Sequence, residues 1–476
     1  MNRLRIVLKT RKRLLLSAAM AAVLALLAGG ANALANTVWC VTKTSYVPDP
    51  ACTPATTLST ISAVLALTSS PGPVQPLDVI VVAPGYYNET VGISVGISIF
   101  GAQAGKDARV DRNDPSKESI VDASGSPAGS GHGAAFFINS GNVIIDGFTI
   151  EAGGVTSGTP GICAAGVYAT GSISAQVLNN IIQNNAVGLF LNESGYPLVE
   201  HNLFNSNNVG TAGSSDTDFV GAAGFGIAGH TPTAAVITEN EFKGNLAAAV
   251  ALDSASSTQV TNNTSKKDGS FAVFVGGTFN FIGHNQGQDF GAQGFKTLPQ
   301  TIPPGLVADA AIDVGASTGA NTVSLQISDN DLEEGETTNY NGIAFSIRFG
   351  GGLCTQCQVS NNRIKRFAGN GIVAETTPPL PGPATLFQSS ISGNDVEDNG
   401  NDGILIEEGD PNFSNAVVDN EAEGNHVNDC EDDTYLMGGG TGTVGTFGTW
   451  FNNIGSLSLP AGLCAPPPPS WFASPL

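Results

Sequence analysis

From Asn180 to Asn420, asparagine returns in one frame, and that spacing narrows the folds open to this chain more than any other feature. The frame is carried by Asn180, Asn202, Asn240, Asn263, Asn285, Asn330, Asn362, Asn394 and Asn420, with successive gaps of 22, 38, 23, 22, 45, 32, 32 and 26 residues. The shortest gaps set a unit of about 22 residues; the longer ones read as units with inserted loops, the gap of 45 as one unit or two.

A second signature follows each Asn, a small residue and then three apolar ones. Gly188-Leu189-Phe190-Leu191, Ala249-Val250-Ala251-Leu252, Ala272-Val273-Phe274-Val275, Gly371-Ile372-Val373-Ala374 and Gly403-Ile404-Leu405-Ile406 are instances. No helical period accompanies them, and the many glycines fit strands joined by turns. A unit this short buries no apolar face of its own. Stability must come from stacking equivalent strands about 4.8 Å apart, with the asparagines forming a hydrogen-bonded ladder at one turn.

With these features, the chain resembles the pectin lyase-like superfamily of right-handed parallel β-helices. Asp78-Val79-Ile80-Val81-Val82-Ala83-Pro84-Gly85-Tyr86-Tyr87-Asn88-Glu89 resembles the first coil of that family, preceded by a short capping helix near Thr60 to Thr68; a second strand is expected over Ile97 to Gly101. The resemblance implies an all-β, single-stranded right-handed parallel β-helix with an N-terminal helical cap and a disulfide-closed C-terminal cap. It leaves function open, because the superfamily holds lyases, hydrolases, esterases, epimerases and non-catalytic surface proteins.

The expected organisation is a signal peptide over 1–35, an N-terminal cap over 36–76, the coil over 77–427, a C-terminal cap over 428–465 and a Pro-rich tail over 466–476. The signal reading rests on Arg3, Arg5, Lys9, Arg11, Lys12 and Arg13, the apolar run from Leu14 to Leu27 and the small-residue site Ala33-Leu34-Ala35. A secreted or periplasmic product follows, with no membrane anchor. The remaining chain keeps 13 basic against 41 acidic side chains, which disfavours nucleic acid and anionic lipid as partners. Seven cysteines suit an oxidising compartment. Cys40 pairs with Cys52 and Cys430 with Cys464 as cap bridges; Cys354 and Cys357 close a small loop or bind metal, and Cys163 is left over.

Aligning coils on the Asn turns scattered residues into columns. One column holds Asp331, Arg363, Asp395 and Glu421; the next outward one holds Glu333, Lys365, Glu397 and Glu423, with Glu334, Arg366 and Asp398 beyond. Leu332, Ile364, Val396 and Ala422 point inward between them. Arg363-Ile364-Lys365 and Gly131-His132-Gly133 match short motifs of the polygalacturonase family, yet the paired aspartates of that family are missing. The basic pair is therefore assigned to a charge ladder.

The column at the end of the second strand reads Thr170, Asn192, His230, Asp253, Gly276, then Ser346, Glu375 and Glu407. Its catalytic candidates are His230 and Asp253, with Asp216 and Asp218 on an inserted loop within reach; a His beside carboxylates acts as a general base or binds a cation. A surface His bonded to Asp253 is the structural alternative. Tyr168, Phe190 and Phe274 belong to an outward apolar stripe that would meet sugar rings or lie under inserted loops, and Asn192 and Arg348 would join them in substrate binding. Glu375 and Glu407, on consecutive coils, would recruit Ca²⁺, although no cofactor is required.

Two functions fit. One is a carbohydrate-active enzyme, a lyase or glycoside hydrolase, working on an extracellular polysaccharide or cell-surface glycan along the outer groove. The other is a non-catalytic surface or matrix protein binding glycans or proteins. A monomer is expected in either case.

Overall fold

The computed structural model describes residues 37–466, apart from 44–49, 68–73, 111, 113, 125–133, 152–164, 209–223, 292–309, 316–320, 336–339, 347–353, 375–385, 408–414 and 438–439. The signal segment, His132, Cys163, Asp216, Asp218, Arg348, Glu375 and all but the first residue of the Pro-rich tail lie outside the described residues.

Three parallel sheets wind around one interior. One coil consists of Val187–Asn192 in sheet C, Leu198–Glu200 in sheet A and Leu203–Asn205 in sheet B. The next, Phe225–His230, Val236–Thr238 and Glu241–Lys243, pairs with it strand for strand. This is the right-handed parallel β-helix expected from the sequence. The 45-residue gap is a single coil: Phe281–Gly283 pairs directly with Gln326–Ser328, and Asn285 Nδ2 donates to Asn330 Oδ1 at 2.9 Å.

The turn between sheets A and B explains the asparagine frame. The residue before each ladder Asn has positive φ, as at His201, Glu239, Asn262 and His284. That conformation costs a non-glycine residue roughly 1–2 kcal/mol. The ladder offsets it: Asn202 Nδ2 donates to Val177 O at 2.8 Å and Asn240 Oδ1 at 3.0 Å, and the bonding passes coil to coil as far as Asn453. The Asn side chains are buried, so every polar atom taken from water is matched.

A second ladder, Asn185, Asn207, Asn245 and Asp268, runs between sheets B and C. The small residue of the apolar signature packs at this corner. A Cβ added at Gly188 would stand 2.5 Å from Gly226 O and 2.8 Å from the Phe204 ring. Inside, Leu189, Ile227, Val250, Phe204 and Phe242 are buried, each contributing roughly 2 kcal/mol.

Both ends are closed. Helix Ile61–Leu65 starts at Thr60, whose Oγ1 accepts from Ala63 N, while the Glu89 carboxylate accepts from Ile61 N and Ser62 N. Trp39 Nε1 donates to Asp78 at this end and Trp450 Nε1 to Asp432 at the other. Disulfides join Cys40 to Cys52, Cys354 to Cys357 and Cys430 to Cys464, which fits export to an oxidising compartment. Among the described residues no helix is long and apolar enough to cross a membrane.

Candidate functional site

The last residues of the sheet C strands form a row in which Thr170 pairs with Asn192, Asn192 with His230 and His230 with Asp253. Each is followed by a residue of positive φ, Gly171, Glu193, Thr231 and Ser254, so the chain bends sharply and the row lines the corner toward sheet A. His230 Nδ1 lies 2.8 Å from Asp253 Oδ2, and Ser254 Oγ donates to Asp253 Oδ1 at 3.0 Å. The Asp253 side chain is 5% exposed and His230 27%. A nearly buried carboxylate thus orients an imidazole that remains accessible, an arrangement suited to proton transfer.

Polar contacts continue along the row. Asn192 Nδ2 donates to Tyr168 Oη at 3.2 Å and Thr170 Oγ1 at 3.3 Å. The Tyr168 ring stacks between Phe137 and Phe190, with centroids 5.6 and 5.4 Å apart. The apolar stripe is not exposed, however: Tyr168, Phe190, Ala228 and Ala251 are buried in a cluster of their own outside the sheet. Tyr168 reaches the row through its hydroxyl, whereas Phe190 supports that ring from behind.

Beyond Asp253 the register departs from the expected one. Asp253 pairs with Val275, not Gly276, because an extra residue precedes Val250, where Ala247 N and Ala248 N both donate to Gly224 O. A one-residue slip reverses every side chain in the following strand. Phe274 therefore points into the interior core, and Val273 takes the outward place. Phe274 is no surface residue. The same column brings Asp313, 5% exposed, to the outer face between Val273 and Ala344, a carboxylate the sequence columns missed. Of the proposed cation pair, only Glu407 is described, just beyond the strand Ile404–Ile406.

Sheet B carries the charge ladder. Arg363 lies 2.9 Å from Asp331 and 3.6 Å from Glu333; Lys365 pairs with Glu397 and lies 3.4 Å from Asp395. Burial raises the Asp395 carboxyl above its ordinary range, while the bond from Lys365 lowers Glu397. These cations are held by neighbouring carboxylates, which agrees with a structural role for Arg363-Ile364-Lys365. Elsewhere, donor atoms of Glu200, His201 and Glu239 lie within 4.8 Å of one another, a spacing that could hold a metal. His201 and Arg109 both approach Glu239, at 3.0 and 3.6 Å, and form an ion-paired cluster there.

The family model described as a right-handed β-helix region matches residues 96–286. The matched region lies within the coil, and the chain folds as a right-handed parallel β-helix. No curated protein sequence matches it. Among solved structures similar to this β-helix, a periplasmic alginate epimerase shares 11% identity, covering 79% of this chain and 76% of its own, with a TM-score of 0.45. An alginate lyase from a Paenibacillus species shares 13% identity over 65% of this chain and 93% of its own, with a TM-score of 0.44. A DFA-IIIase from Arthrobacter chlorophenolicus, without its lid, shares 15% over 80% and 98%, with a TM-score of 0.46. At such identities the likeness concerns the fold alone.

Proposed function

We propose that this β-helix is an exported protein that holds an extracellular polysaccharide along the corner of sheet C, where His230, oriented by Asp253, moves a proton at the bound chain. One observation carries this reading, the row on neighbouring strands in which Asn192 bonds Thr170 and, next to it, His230 bonds Asp253. Hydroxyl, amide and imidazole groups in line offer alternating donors and acceptors, the chemistry that sugar hydroxyls match. The alginate epimerase and alginate lyase act on a polysaccharide; the reading for this chain rests on its own side chains.

Asp216 and Asp218 would add negative charge near the imidazole, Arg348 a contact to substrate, and Glu375 with Glu407 a site for Ca²⁺. A non-catalytic glycan- or protein-binding role is favoured by one feature, the commitment of Arg363, Lys365 and Arg366 to ion pairs, which leaves them engaged rather than open to an acidic sugar. The test is a panel of neutral and uronate polysaccharides, with and without Ca²⁺, followed for both binding and product release. Turnover of one of them supports the enzyme. Binding without turnover supports the second role in its glycan-binding form, and neither binding nor turnover removes both the enzyme and the glycan binder.

A further inference from the structure

A different face of the molecule carries its own signal. On the coils that begin at Phe281, Gln326, Gln358 and Ser390, the outer surface of sheet A is built from three columns. The turn column runs Phe279, Ser324, Gln356, Gln388, each with φ between 50° and 57°. The first strand column runs Phe281, Gln326, Gln358, Ser390, and the second Gly283, Ser328, Ser360, Ser392. None of these twelve positions is charged, in a chain of formal charge −22. On the same coils, sheet B carries Asp331, Glu333, Arg363, Lys365, Asp395 and Glu397. Mere solvation of an acidic protein does not require one neutral face beside a densely charged one.

The neutral face is concave. A groove of about 480 Å³ runs over Gln326, Gln356, Gln358 and Gln388, within the usual range for small-ligand sites. The amides of Gln326, Gln358 and Gln388 are exposed and make no side-chain hydrogen bond among the described residues; Gln356 Oε1 accepts from Ser324 Oγ at 3.4 Å. Each amide presents a donor and an acceptor together, repeated roughly every 4.8 Å along the axis. Beneath them, the disulfide between the buried Cys354 and Cys357 ties the ends of one turn and holds Gln356 in place.

An aromatic platform closes one end. A Cβ on Gly283 would stand 2.3 Å from the Phe281 ring, so that ring lies over the glycine and keeps a partly exposed surface. Phe279 beside it is 66% exposed. Flat apolar surface next to rows of amides and hydroxyls matches the two kinds of surface on a pyranose, its C–H face and its hydroxyl edge.

We infer that this groove is a binding site for an uncharged polysaccharide chain lying along the helix axis, separate from the sheet C corner. An acidic chain is disfavoured because no cation lines the groove among the described residues. The experiment uses the exported chain and isothermal titration with cellohexaose, xylohexaose and laminarihexaose, and with an oligogalacturonate as the charged comparison. At least one neutral hexasaccharide binds with a Kd below about 1 mM, and the triple variant Gln326→Ala, Gln358→Ala, Gln388→Ala weakens it by about tenfold or more. Phe281→Ala weakens it similarly, while His230→Ala leaves it unchanged. All three glutamines are exposed, so the fold survives their loss, which circular dichroism verifies. The inference is overturned if no neutral hexasaccharide binds, if only the uronate binds, or if the triple variant binds as well as the parent. Loss of binding in His230→Ala alone would place the sugar at sheet C instead.

Discussion

Nδ1 of His230 stands 2.8 Å from Oδ2 of Asp253, although 23 positions separate them in the chain. One coil of β-helix turns that separation into a lateral neighbour in a parallel sheet. If Asp253 orients the imidazole and Asn192 contacts the bound sugar, their variants must differ in kinetics. Asp253→Asn lowers kcat by about 100-fold with little change in KM, whereas Asn192→Ala raises KM and leaves kcat nearly intact. Steady-state rates on the polysaccharide that is turned over separate the two.

The ladder predicts a sharp contrast between adjacent residues. Asn263 Oδ1 accepts from Asn240 N and Nδ2, and its own Nδ2 donates to Ile237 O and Asn285 Oδ1, all within the interior. Asn263→Ala strands several buried polar groups and costs about 4 kcal/mol in urea unfolding. Asn262, exposed and of positive φ, tolerates Gly with no loss of stability.

Two carboxyls make stability fall toward alkaline pH. Burial pushes Asp268 up to about 7; burial and the neighbouring Asp402 carboxyl do the same to Glu431. Both values are raised above those of the unfolded chain, so between about pH 4 and pH 7 the native state holds protons that the unfolded state has lost. Stability therefore declines as pH rises through that window and levels off above it. Asp268→Asn retains the Oδ1 that accepts from Asn245. Thermal melts from pH 4 to pH 8 should show a shallower decline for this variant, and the shallowest for its combination with Glu431→Gln.

The C-terminal bridge closes a loop with a sequence separation of 34. Replacing Cys430 and Cys464 by Ser lowers stability by about 4 kcal/mol on chain-entropy grounds. It also loosens the cap over the last strands, and unpaired edges recruit other copies. Light scattering on the variant should report growth in mass with concentration, and the parent none.

The coil was legible because its cause is local and repeated: one buried Asn per turn, with apolar residues alternating around it. The charge ladder followed, since Asp331, Arg363 and Asp395 share a fixed offset from that Asn. The second ladder was equally available, as Asn185, Asn207, Asn245 and Asp268 each follow a first-ladder Asn by five residues, but its last member is an Asp. What failed was register. The extra residue before Val250 sits in an alanine run with no mark of its own, so spacing alone sets Phe274 outside and leaves Asp313 off the outward column. The burial of Tyr168 and Phe190 was also hidden, because alternation shows which side of a strand a residue takes but not what lies above it.

The role of the sheet C corner comes down to the rate at which His230→Ala converts the polysaccharide bound by the parent, measured at saturating substrate. A fall of about 100-fold or more with binding retained is the predicted result. Conversion at the parental rate would contradict it, and His230 would then be a structural partner of Asp253.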